Sequence, residues 1–257
     1  MKSDAFFVKG QSHDICQDYA IARGDTIAVS DGCSLINNNG KCYKHPHSDI
    51  SSRLVCLSAV NATYDLIEDL ILLRSYTNIE MDATLLKACV KDKEINLTII
   101  GDGVIYIKHA NREHRIIVIS YEPNTPTYLS YLLDKRKSNM FLASAPVVTN
   151  MIYIYDNNWN IKDTSKVQEP LNLEDVTVSF DNSKMKATTI SLFSDGVTDI
   201  YTPNGKLPVK DAVKALVSYK RTNGEFVLAR MKAQLRDWAS QGIYSNDDLS
   251  MATLILD

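Results

Sequence analysis

The chain has 257 residues, 45% hydrophobic and 23% charged, which is ordinary globular usage with enough apolar material for a sizeable core. A formal net charge of −3 excludes a general electrostatic footprint for nucleic acid or for an anionic membrane, so any phosphate binding has to be local. No apolar run approaches the roughly 18 residues that suggest a membrane span, and the apolar stretch near the start is too short for a signal peptide; the expectation is a soluble, cytoplasmic protein with no membrane partner.

Five cysteines, at positions 16, 33, 42, 56 and 89, form no C-x-x-C pair and are odd in number, which points to reduced thiols rather than a disulfide framework. Cys33, Cys42, His45 and His47 share one polar stretch. Their spacing matches no zinc template, and the stretch reads as a surface loop.

In chain order, Ala5 to Val8 predicts a first strand, and Gly10 to Gln17 a loop that delivers Asp18 to the start of a second, Tyr19-Ala-Ile-Ala. Ile27 to Gly32 is an apolar strand running into Asp31-Gly32, and Cys33 to His47 an excursion over the surface. Ser48 and Asp49 cap a long helix whose apolar positions Ile50, Leu54, Leu57, Val60, Tyr64, Ile67 and Ile71 recur at three and four residues. Glu94 to Ile100, Val104 to Lys108 and Arg115 to Tyr121 predict an antiparallel meander, and Met151 to Tyr155 a further strand. Polar Asp156 to Lys166 lacks periodicity and reads as a loop. After the strand beginning at Ile190, helices are predicted behind Pro208 (Val209, Ala212, Val213, Leu216, Val217) and over Phe226, Met231, Leu235 and Trp238. Ser250 to Leu256 is the last strand, preceded by Asn246, Asp247 and Asp248.

Three of these strands end alike: Ile27 to Gly32, Leu97 to Gly103 and Ile190 to Gly196 each run into Asp-Gly. A single Asp-Gly is most simply a turn. As a set, carboxylates at the ends of several buried strands can converge on a hard, oxygen-seeking cation such as magnesium or manganese, and glycine beside a ligand allows close backbone approach. Strands interrupted by two groups of helices predict one α+β domain over residues 1–257, with sheets packed face to face and helices outside.

Taken together the motifs resemble the metal-dependent serine/threonine protein phosphatases of type 2C, in particular their shorter bacterial and phage-like branch. The resemblance runs from His13 to Ser250 in family order: Gln17-Asp18, Val29-Ser30-Asp31-Gly32, Gly101-Asp102-Gly103, Ser194-Asp195-Gly196-Val197-Thr198-Asp199 and Asp247-Asp248-Leu249-Ser250. It implies a central antiparallel β-sandwich flanked by helices on both sides, a four-layer αββα arrangement, with two Mn2+ or Mg2+ ions in a cleft at one end. Asp31 would bridge the ions, the Gly32 carbonyl would help to hold one, and Asp195 and Asp247 would complete the other. Asp18 would act through bound water, Asp102 and Asp199 would be candidates for a third, weaker metal site, and Asp248 would stand where the family usually has Asn. His13 occupies the place of the family's phosphate-holding Arg, which makes it a candidate partner of the substrate phosphate, although a neutral imidazole is a poorer partner than a guanidinium. The implied substrate is a phosphorylated protein. Two other readings stay open at this stage: a phosphatase-like binding module without catalysis, and a metal-dependent phosphohydrolase acting on a small molecule.

Overall fold

The computed structural model describes residues 1–36, 42–44, 47–61, 66–122, 126–173 and 176–256, with the backbone alone described at 34–36 and 42–44. The first half of the chain runs β1 (Lys2–Val8), β2 (Tyr19–Arg23), β3 (Thr26–Ser30), β4 (Ser34–Ile36), β5 (Cys42–Lys44), α1 (Ser48–Asn61), α2 (Leu66–Thr77), β6 (Leu85–Lys91), β7 (Glu94–Ile100), β8 (Gly103–His109) and β9 (His114–Glu122). The second half runs α3 (Leu129–Leu133), α4 (Lys135–Leu142), β10 (Val147–Tyr155), β11 (Ile161–Pro170), β12 (Thr177–Asp181), α5 (Asn182–Met185), β13 (Ala187–Phe193), β14 (Ile200–Thr202), β15 (Gly205–Lys206), α6 (Val209–Leu216), α7 (Phe226–Ser240), β16 (Tyr244–Ser245) and β17 (Leu249–Ile255).

Two antiparallel sheets form the sandwich, in the orders β1-β17-β13-β8-β9-β10-β11 and β12-β7-β6-β3-β2. Side chains alternate between faces along a strand, and the central strands use both. On β3, Ile27 and Val29 enter the core between the sheets, where they join Leu86, Leu97, Ile105, Ile190, Leu192 and Leu254. Ala28 points the other way, into a layer with Val55, Cys56, Ala59 and Leu70 of α1 and α2. On β17, Ala252 and Leu254 face the inter-sheet core, and Met251 and Ile255 face the layer built by Val213 and Leu216 of α6 and by Phe226, Met231 and Trp238 of α7. These contacts make four layers, helices on sheet on sheet on helices, as the resemblance implied. Each fully buried aliphatic or aromatic side chain contributes about 1.5–3 kcal/mol. Asp4 of β1 ties the layers together by accepting the Val227 N–H at 2.6 Å, which caps α7, a helix with no side-chain cap of its own.

The structure corrects three expectations. The helix expected to continue from Ser48 to Ile71 is described as α1 and α2, and α2 packs through Leu70 while Ile71 is 49% exposed; Tyr64 lies outside the described residues. A single helical period carried from Ile50 through to α2 assigns Ile71 to the wrong face. Polar Asp156 to Lys166, expected as a loop, includes the first half of β11, an edge strand with every residue exposed. A strand wetted on both faces carries no alternation to read, and its charges guard a free edge. Strands β6 and β12 were not anticipated; β6 is central, pairing with both β3 and β7. In the surface stretch where zinc was considered, the Cys42 side chain and His45 lie outside what is described, and Cys33 is buried.

Candidate metal centre at one end of the sandwich

Strand register brings the predicted carboxylates to one end. In the β2–β3 hairpin Tyr19 pairs with Ser30, so Asp18, one residue before, and Asp31, one residue after, are neighbours across the hairpin. Phe193 pairs with Val104 on one side and Met251 on the other, which sets Asp195 beyond the end of β13, next to Asp102 before β8 and Asp247 before β17. The loop after Asp31 is fixed by the backbone: Thr84 N–H donates to Asp31 O at 2.9 Å, and Asp31 N–H donates to Thr84 Oγ1 at 3.0 Å. At Gly32 a Cβ would overlap the Ser48 carbonyl, so only glycine lets α1 start this close to the strand end.

Asp18 is 3% exposed, and its Oδ2 is buried without a hydrogen-bond partner. Burial, opposed by a hydrogen bond to Ser194 and reinforced by the charge of Asp248, pushes its carboxyl up to about 7. Asp31 and Asp195 are partly open to solvent yet closely surrounded by protein, and both are held well above the usual carboxylate range, first by desolvation and then by neighbouring aspartates. For Asp31 those neighbours are Asp18, Asp195 and Asp247; for Asp195 they are Asp102, Asp247, Asp18 and Asp199. Asp102 is pushed up to about 6, mainly by burial. Asp247 is raised by burial, with His13 acting in the opposite direction. Like charges this close resist joint ionisation.

An all-oxygen donor set with a buried, unpartnered carboxylate oxygen fits a hard divalent cation. Among the described residues no three acidic, histidine or cysteine side chains already stand as a ligand cluster, so the carboxylates are neighbours rather than a closed cage.

The remaining predicted residues are placed differently. Asp199 Oδ2 accepts Asn246 Nδ2 at 2.9 Å, and its Oδ1 lies 3.3 Å from Lys206 Nζ, so both of its oxygens are engaged by the protein. His13 has carboxylates at both ring nitrogens: Nδ1 is 2.9 Å from Asp248 Oδ2 and Nε2 is 3.3 Å from Asp247 Oδ1. The imidazole pKa is raised, chiefly by the contact with Asp248 and against the effect of burial.

Asp248, read from the sequence only as an Asn substitute, is 1% exposed and accepts the N–H groups of Gly10 at 2.7 Å and Gln17 at 2.6 Å. Burial alone would raise its carboxyl; the close contact with His13 and the bonds from the Gln17 and Gly10 N–H groups hold it below the usual range instead. Tyr128, also not anticipated, has its hydroxyl beside the Cys33 thiol and within the field of Asp31 and Asp102, and burial raises its pKa. Gln17-Asp18 and Asp247-Asp248 were visible as motifs, but nothing local says which member of a pair turns inward.

No family profile and no curated protein sequence matches this chain. Solved structures do. An arginine-to-glutamate variant of a bacterial serine phosphatase superposes with a TM-score of 0.54 at 14% identity, covering 100% of this chain and 99% of that one. A bacterial serine phosphatase gives 0.51 at 14% identity, with 100% and 98% covered. The fold is that of the PP2C phosphatases. The PP2C phosphatase domain of SpoIIE from Bacillus subtilis, solved with a fragment of its regulatory domain, gives 0.50 at 13% identity over 99% of this chain and 63% of that one. At such identities the likeness is one of fold; in this chain the carboxylate end is formed by the ends of strands from both sheets and the loops that leave them.

Proposed function

We propose that the chain is a metal-dependent phosphomonoesterase, a serine/threonine protein phosphatase working with two divalent cations, Mn2+ or Mg2+. The observation that carries this reading is the convergence of Asp18, Asp31, Asp195 and Asp247 from four strand boundaries onto one end of a PP2C fold, with raised pKa values that a cation would reverse. Asp31 would serve both ions, the Gly32 carbonyl would help to hold one, and Asp195 and Asp247 would complete the other. When bound, the two ions acidify water and neutralise charge on the transferring phosphoryl oxygens.

Asp18, beside Ser194, would act through bound water, orienting it and accepting its proton. Ser194 is itself fixed by β17, because its Oγ accepts the Ser250 N–H at 3.0 Å. Asp102 is the better candidate for a third, weaker site, since Asp199 is already bound by Asn246 and Lys206. The substrate would be a phosphorylated protein.

A metal-by-substrate screen of the purified chain tests the reading: hydrolysis of p-nitrophenyl phosphate and of phosphoserine and phosphothreonine peptides is expected with Mn2+ or Mg2+ and lost with excess chelator. Full activity in chelator, or none with any divalent ion, sinks it. Asp102→Ala should leave two tightly held ions and slow turnover; unchanged turnover would reduce Asp102 to a turn residue.

A further inference from the structure

The loop from Gly10 to Gln17 and the segment Ser245–Asp248 are locked together along their length, although more than 230 residues separate them (Gly10 and Asp248 are 238 apart). Gln11 N–H donates to Ser245 O at 3.1 Å and Ser12 N–H to Asn246 O at 3.0 Å, and Ser12 Oγ reaches the same carbonyl at 2.7 Å. A Cβ on Gly10 would overlap the backbone of Asp247, so the two segments are as close as backbone allows. Asp248 grips both ends of the loop, with Oδ1 on Gly10 N–H and Oδ2 on Gln17 N–H. His13 is carried between these two anchors, and Lys9 Nζ donates to its carbonyl at 2.5 Å. Its side chain is 8% exposed and lies between the fully buried carboxylate of Asp248 and the part-exposed carboxylate of Asp247.

This arrangement fixes Asp247. Its Oδ1 receives the Asp248 N–H at 2.8 Å and faces His13 Nε2 at 3.3 Å, and its Oδ2 takes part in neither contact. A carboxylate whose one oxygen takes a backbone N–H and has an imidazole nitrogen beside it is restricted in its rotation, which directs its second oxygen. We propose that His13 is a positioning residue: backed by Asp248, it orients Asp247 and thereby sets the affinity of this end of the molecule for a divalent cation, and it is not the group that holds the substrate phosphate. The inference rests on the phosphatase reading for the role of Asp247 as a ligand. It departs from that reading's simplest form, in which the residue five places before Asp18 meets the phosphate. An imidazole with a carboxylate beside each nitrogen has no third direction to offer a dianion, whereas a ligating carboxylate is commonly oriented by a polar partner in the shell behind it.

Two variants separate positioning from mere packing. His13→Asn keeps a polar group at the Nδ1 position beside Asp248 but cannot reach Asp247. His13→Gln is long enough to keep a donor on Asp247. With Mn2+ titrated into the full chain by calorimetry, His13→Asn should weaken Kd by about tenfold or more, and His13→Gln should recover most of that loss. KM for p-nitrophenyl phosphate, measured for each at saturating Mn2+, should stay within about threefold of the wild-type value. Wild-type Mn2+ affinity in His13→Asn would overturn the proposal, as would a large rise in KM at unchanged Kd, which would return His13 to the phosphate. Failure of the phosphatase reading looks different: the wild-type chain itself would take up no Mn2+.

Discussion

At the end of the sandwich where β9 begins, His114 is 6% exposed, and its Nδ1 lies 2.8 Å from Tyr106 Oη. The Trp159 ring covers the imidazole at 4.2 Å between centroids and the Tyr106 ring at 6.0 Å. Burial, helped by Lys108, brings the His114 pKa down to about 4, so the ring is neutral and needs no counter-charge. At the opposite end, where β8 begins and β13 stops, Asp18, Asp31, Asp195 and Asp102 are also surrounded by protein, but they face one another. One end has buried a polar group by giving it a neutral partner and a stacked cover. The other has assembled acids whose mutual repulsion the protein alone does not relieve, and Asp18 Oδ2 has no hydrogen-bond partner. Burying polar groups costs stability unless they are paired. Under the proposed function, a bound cation would supply the compensation that the second end lacks.

The sharpest way to break this contrast is to neutralise one acid at the carboxylate end. Asp31→Asn is expected to lower Mn2+-dependent kcat by at least about 1000-fold, roughly 4 kcal/mol. In metal-free protein it should melt no lower than wild type, because a buried like charge has gone. A rate within a few-fold of wild type would mean that Asp31 is an ordinary turn residue. Mn2+ at about 100 times its Kd should raise the unfolding free energy of wild type by about 2.7 kcal/mol, and by much less in Asp31→Asn, as read by chemical denaturation.

Trp159→Ala should do the reverse at the aromatic end: a loss of about 2–3 kcal/mol of stability for a half-buried indole, with kcat and KM unchanged. If hydrolysis fell with it, the two ends would not be independent.

The pH dependence of the metal-free protein sharpens the comparison further. Asp18, raised to about 7, and Asp102, raised to about 6, bind protons more tightly folded than unfolded. Their contribution to stability is therefore fully present below the ordinary carboxylate value near 4 and is lost as pH rises through about 6 to 7. The wild-type melting temperature should carry a falling component from pH 4 to 7 that is shallower in Asp18→Asn. Identical profiles would place the Asp18 carboxyl back in the usual range. The smallest effect belongs to Lys206→Ala: the ion pair with Asp199 involves a side chain that is 53% exposed, so stability should change by less than about 1 kcal/mol.

Much of the fold was legible because its central strands are strongly patterned. Val104 to Lys108, Ile190 to Phe193 and Ser250 to Ile255 lie in β8, β13 and β17, where both faces are buried and apolar runs are long. Elements that pack weakly carried less signal. β11 has no buried face, and α2 buries only Leu70 fully, so neither shows the period by which such elements are recognised. β6 was hidden for another reason: Leu85-Leu86-Lys87-Ala88-Cys89 offers no Gly or Pro boundary and little β-branched enrichment.

By itself the sequence determined that acids would stand at strand boundaries, since Asp18-Tyr19, Asp31-Gly32, Asp102-Gly103 and Asp195-Gly196 are local patterns whose outcome is set by the strand beside them. It also determined, through long apolar runs, that β3, β8, β13 and β17 would be strands, while central β6 went unread. Only the tertiary structure decided which acids meet and which are taken by other partners. That Asp199 goes to Lys206 and Asn246, that Asp248 turns inward to hold Gly10 and Gln17, and that His13 is caught between Asp247 and Asp248 all follow from strand register and from the meeting of the chain's first and last segments. Periodicity is a property of neighbours a few residues apart. The partner of a charged side chain depends instead on how β1 pairs with β17 and β13 with β17, contacts formed across most of the chain's length.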